Sequence, residues 1–121
     1  MVFADPDNGL CKDDNFKPGK KDQWKRLPLS EAKALTEGRV AIIYHHNARN
    51  RGTHKQEIAY WINQLGADTL ALYWQGTGSC SNRTFFVINP ESGMVDCLSE
   101  FERKWRQIEL ITKDTTPSFI N

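Results

Sequence analysis

Val40-Ala41-Ile42-Ile43-Tyr44 is an unbroken apolar run, and no other segment restricts the fold as much. A half-exposed strand alternates apolar and polar residues. A strand covered on both faces by helices does not, and parallel strands in α/β sheets are covered in that way. The run therefore predicts a buried strand and, around it, helices. The rest of the chain agrees. Val2–Ala4 is a short apolar segment stopped by Asp5-Pro6-Asp7-Asn8-Gly9, a strand running into a sharp turn. Thr69–Trp74 and Thr84–Asn89 read as two more strands, the second closed by Pro90.

Helices are expected between them. Ser30 is placed as the N-cap of a helix through Glu37, with Gly38 as its stop. Thr53 and Gln56 have capping-box spacing. Ile58, Trp61, Ile62 and Leu65 then fall on one helical face, and Gly66 ends that helix. Leu98, Phe101, Trp105 and Ile108 predict a last helix from near Val95 to Leu110. Leu10 to about Leu27 carries Lys12, Lys17, Lys20, Lys21, Lys25 and Arg26 against Asp13, Asp14 and Asp22. It reads as a solvated basic loop. The tail after Thr112 reads as irregular.

This order predicts one α/β domain. Its sheet is open, mostly parallel and four-stranded, with one antiparallel strand and flanking helices. Strand–helix–strand units pair in parallel, whereas the last two strands share only a loop and should be antiparallel neighbours. A length of 121 residues fits a single domain.

Composition narrows the function classes. A net charge of +1 supplies no bulk field for salt-driven binding to nucleic acid or anionic membranes, although it leaves room for a local basic patch. No apolar run approaches the roughly 18–20 residues of a membrane span. The N-terminus lacks a basic stretch followed by an apolar one. Cys11, Cys80 and Cys97 are odd in number and without Cys-x-x-Cys spacing, so reduced thiols and a cytoplasmic location are expected.

Ligands of open α/β sheets bind beyond the carboxyl ends of the parallel strands. Three polar segments end there: residues 5–9, 45–54 and 75–83. The candidate ligand-binding residues are Asp5, Asp7, Asn8, His45, His46, Arg51, His54 and Arg83. Asp5 and Asp7 have the chemistry to bind a hard cation or accept a proton; turn capping is the plainer role for both. His45 and His46 are adjacent on an extended chain, so only one can face a given site. Arg49, Arg51, His54 and Lys55 crowd a helix N-terminus, a natural phosphate position, or form a solvated charged turn. Trp61 and Trp105 are expected in the core. Trp74 packs or stacks a ligand, and Trp24 sits among lysines.

The series Val2-Phe3-Ala4-Asp5-Pro6-Asp7-Asn8-Gly9-Leu10, Val40-Ala41-Ile42-Ile43-Tyr44-His45-His46 and Thr84-Phe85-Phe86-Val87-Ile88-Asn89-Pro90 resembles the C-terminal half of a group of uncharacterised bacterial proteins. That group is in turn similar to class I methyltransferases, especially rRNA adenine-N6 enzymes. The resemblance implies half of a Rossmann-like methyltransferase fold, with Asp5-Pro6 at the end of its fourth strand. Asp7 and Asn8 stand where those enzymes carry Pro and the aromatic that stacks the flipped base. The Gly-rich turn for S-adenosylmethionine has no counterpart here, so no cofactor is expected. The missing half would leave Val2–Ala4 with an open edge, and an open apolar edge invites pairing. Self-association as a homodimer is expected, with a nucleotide or nucleic acid as a further partner and no membrane.

Three functions fit these residues. The first is a binding or interaction module for a nucleotide, nucleic acid or other phosphate-bearing ligand. The second is a metal-dependent phosphodiester hydrolase using Asp5, Asp7 and one of His45 or His46, with Arg51 or Arg83 on the phosphate. The third is a purely structural partner protein.

Overall fold

A computed structural model of the chain describes residues 1–6, 9–13, 26–46, 53–66, 68–75 and 82–113. In chain order the elements are β1 (Val2–Ala4), β2 (Gly9–Cys11), β3 (Arg26–Pro28), α1 (Leu29–Thr36), β4 (Ala41–His46), α2 (His54–Leu65), β5 (Thr69–Trp74), β6 (Arg83–Ile88), α3 (Ser92–Lys104) and β7 (Ile108–Ile111).

Five strands form an open mixed sheet in the order β1-β4-β6-β5-β7. β1 and β4 are parallel neighbours, with Val2 beside Ala41 and Ala4 beside Ile43. β6 lies antiparallel between β4 and β5, and β7 adds antiparallel to the outer edge of β5. Hence β1, β4 and β5 run one way and β6 and β7 the other. The expected four strands are all present, and β5 and β6 are antiparallel neighbours as predicted. The α2 connection carries the chain from β4 past one strand position, leaving the gap that β6 fills.

Three expectations fail. The strands joined through α2, β4 and β5, run the same way but are not the expected parallel pair, because β6 lies antiparallel between them, and β1–β4 is the one parallel ladder of this sheet among the described residues. The last helix ends at Lys104 rather than near Leu110, and Trp105 is already extended (φ −125°, ψ 116°). Ile108–Ile111 is a fifth sheet strand. Its β-branched residues favour extended backbone, and Ala71–Trp74 offer it an unpaired edge. Ile108 falls at helical spacing from Leu98, Phe101 and Trp105, and that spacing predicts a helix that runs on. Trp105 is accordingly not core but 54% exposed.

The basic loop, in turn, is anchored at both ends. Gly9–Cys11 and Arg26–Pro28 pair in parallel as a separate two-stranded ladder, with Leu10, Cys11 and Leu27 buried. Residues 14–25, including Trp24, lie outside the described residues.

Local signals are otherwise followed. Thr53 and Gln56 form the reciprocal capping box, and Gly66 closes α2. α1 starts one residue before Ser30, after Pro28, which has no side-chain acceptor. The Asp13 carboxylate fills that role by accepting from the Ser30 N–H at 3.0 Å. Asn89 adopts a left-handed φ of 53°, which turns its amide to donate to the Thr36 and Arg39 carbonyls beyond α1.

The core fills one face of the sheet. Ile58, Trp61, Ile62 and Leu65 of α2 pack with Ala41, Ile43, Ala71, Tyr73, Phe86 and Ile88, and Leu10 and Leu27 join from the small ladder. None of α3 is buried. Among the described residues no helix is long and apolar enough to cross a membrane.

Candidate functional site

Alternation along each strand decides which polar residues meet. In β4, Ala41, Ile43 and His45 are buried, and Ile42, Tyr44 and His46 are only half-buried. His45 and His46 therefore leave opposite faces of the sheet.

His45 enters the core, between Trp61 and Phe86 at ring separations of 5.8 Å. The Leu10 N–H donates to its Nδ1 at 2.9 Å. Nδ1 is thus an acceptor, so the ring proton sits on Nε2 and is donated to Glu57 Oε2 at 2.6 Å. Glu57 is 1% exposed. Both imidazole nitrogens are committed to holding β2 and α2 against β4.

Gly9 lies directly against this ring. A Cβ there would stand 2.4 Å from Nδ1, and its φ is +83°. His45 is a structural post. Sequence reasoning missed Glu57, although a signal existed: Glu57 precedes Trp61 by four positions on the apolar face of α2. An acid in such a stripe needs a buried partner.

His46 emerges on the other face. It is opposite Arg83, which is opposite Trp74. These three form a row across β4, β6 and β5. The Arg83 guanidinium stacks over the Trp74 indole at 5.4 Å, and Trp74 is 40% exposed. The next row on that face pairs Tyr44 with Phe85, whose rings meet edge-on at 5.5 Å. Phe3 of β1 follows, 61% exposed.

Phe3, Asp5, Tyr44, Arg83 and Phe85 together line an open depression of about 490 Å³. Asp5 is exposed, and among the described residues neither Asp5 nor Arg83 forms an ion pair. The sheet face is aromatic, with one carboxylate and one guanidinium at its rim.

The other candidates are not gathered there. His54 opens α2 and lies 6.2 Å from the Tyr73 ring, on the core side. Tyr73 Oη accepts from Asn82 Nδ2 at 2.9 Å. Lys55 pairs with Glu109 of β7 at 3.1 Å, both half-exposed. Asp7, Asn8 and Arg51 lie outside the described residues. Asp5 and His45 are on opposite faces, so a shared metal between them is not built. Among the described residues no group of three or more His, Cys, Asp or Glu side chains is arranged to hold a metal ion.

Comparison with protein-family models, with curated proteins and with solved structures finds no match to this chain.

Proposed function

We propose that the chain is a binding module for a nucleotide or nucleic acid, taken up on the aromatic sheet face beside the carboxyl ends of β1 and β4. The observation that carries the reading is the row His46, Arg83 and Trp74, with its guanidinium stacked on an exposed indole. Phosphate needs a cation with N–H donors to spare, and a base needs a π-face. Arg83 offers the first, and Tyr44, Phe85, Phe3 and Trp74 offer the second. The overall charge of +1 makes this a local site rather than an electrostatic coat. The hydrolase reading loses His45, whose two ring nitrogens are both engaged, and would have to rest on His46.

Fluorescence anisotropy with labelled single-stranded oligonucleotides at low salt tests the proposal. Arg83→Ala should weaken binding about ten-fold and flatten the salt dependence by about one phosphate contact. Absence of binding by the unmodified chain, at any salt, would refute it.

The likeness to the later half of a class I methyltransferase belongs to the same proposal. Its support is that β1 and β4 run side by side in one direction, with Asp5 and His46 at their ends. Self-association through β1 is proposed with it. β1 is an outer strand of the sheet, and Met1 and Phe3 are 84% and 61% exposed.

A further inference from the structure

We infer that the depression lined by Phe3, Asp5, Tyr44, Arg83 and Phe85 takes an unpaired guanine, whose Watson–Crick edge is read by the Asp5 carboxylate. The inference rests on the reading above and adds the identity of the base. Size comes first: about 490 Å³ falls in the range of small-molecule sites and suits one nucleoside. The lining comes second. Tyr44 and Phe85 are register partners with rings in edge contact, and Phe3 lies on the same side of the neighbouring strand. Together they make an apolar bed against which a flat ring can lie.

The acidic member decides the base. An aromatic bed alone is indifferent to sequence, and a carboxylate beside a phosphate site is repulsive unless it meets donors. Asp5 follows Ala4, which is beside Ile43, so it stands level with Tyr44 at the edge of the bed. A carboxylate accepts only, through two oxygens. Guanine presents two adjacent donors, N1–H and the N2 amino group, which match those oxygens in a paired geometry. Adenine and cytosine present one amino group next to a lone pair. Uracil and thymine present one N–H flanked by two carbonyls. Only guanine meets a carboxylate without a facing acceptor. In a duplex those donors are taken by cytosine, so the base has to be unpaired. Arg83, on its indole one row away, is placed for the phosphate attached to the same nucleotide.

The experiment uses the full chain and ten-nucleotide dT oligomers bearing a single central dG, dA, dC or deoxyinosine, with all-dT as reference, read by anisotropy at low salt. The dG oligomer is expected to bind about ten-fold more tightly than all-dT, the scale of one bidentate base contact. Deoxyinosine, which keeps N1–H and lacks the amino group, should fall between them. Asp5→Asn presents a donor in place of one acceptor and should abolish the dG advantage. Asp5 is exposed, and an unchanged melting temperature for the variant verifies that it folds. Equal affinities for dG and all-dT oligomers overturn the guanine assignment while leaving the binding module standing. So does a dG preference that survives in Asp5→Asn. If no oligomer binds, the binding-module reading falls and the guanine pocket with it.

Discussion

His45 shows how strongly one side chain can tie a small α/β domain together. Its ring receives a backbone N–H from β2, donates to an acid on α2 and is packed by Gly9, Trp61 and Phe86. Removing the Glu57 carboxylate leaves the buried Nε2–H without this acceptor, which costs more than the bond itself. Glu57→Ala should therefore lower stability by about 3 kcal/mol in chemical denaturation, and Glu57→Gln, which keeps an acceptor, by less. Gly9→Ala should cost at least about 2 kcal/mol, since the new methyl group meets Nδ1 on a backbone that L-residues avoid. A Gly9→Ala protein as stable as the parent would show that β2 is not seated as described.

Cys11 allows a pH argument. Burial pushes its thiol above the ordinary 9.0, with Arg26 pulling the other way. The folded state thus favours the protonated thiol. Its contribution to stability is fully present below 9.0 and declines as pH rises past that value. Thiolate is the reactive form, so at pH 8 Cys11 should react with a maleimide far more slowly than exposed Cys97. Peptide mapping of a Cys80→Ser variant reads the two rates; equal rates would contradict the burial of Cys11.

Among the elements, α2 carries the clearest local instruction. Its capping box satisfies two end groups reciprocally, and Thr53→Ala should cost about 1 kcal/mol, measured as a lowered melting temperature. α1 has no such residue of its own. Its cap comes from Asp13, 17 positions earlier in the chain than Ser30, so Asp13→Ala should destabilise α1 in hydrogen exchange while Ser30→Ala should not.

Among the described residues, β1 has one edge without a strand partner. Two copies pairing edge to edge would extend the sheet and leave the face bearing Tyr44 and Phe85 open. Sedimentation at micromolar concentration should give a dimer, and Phe3→Lys on that edge should shift it toward monomer. A parent chain that sediments as a monomer rules out the pairing.

Across the molecule, the sheet separates two jobs. One face, packed by α1, α2 and the β2–β3 ladder, holds nearly all the buried apolar side chains. The opposite face keeps Phe3 and Trp74 exposed and Tyr44 and Phe85 half-buried. This exposed aromatic surface is the one on which the proposed ligand would lie. The parallel β1–β4 pair brings Asp5 to the same rim as His46, and the inserted antiparallel β6 brings Arg83 there from its starting end.

The apolar runs and caps were readable from local chemistry. Val40–Tyr44 reads as a strand from its unbroken apolar run, although only one of its faces is fully buried; the α2 stripe carries its period in sequence, and Thr53 and Gly66 mark the ends of that helix. The parallel pairing of the first strand with Val40–Tyr44 was legible from the helix expected between them. Strand alternation also forecast that only one of the two adjacent histidines could face any one site. Which of them does so depended on α2 supplying Glu57 and on Gly9 arriving against the ring, contacts between segments far apart in sequence. Ile108–Ile111 likewise had a pattern compatible with helix and strand, and it was resolved by a vacant edge on β5. Local periodicity reports what a segment can become; the partner it meets on folding selects among those states.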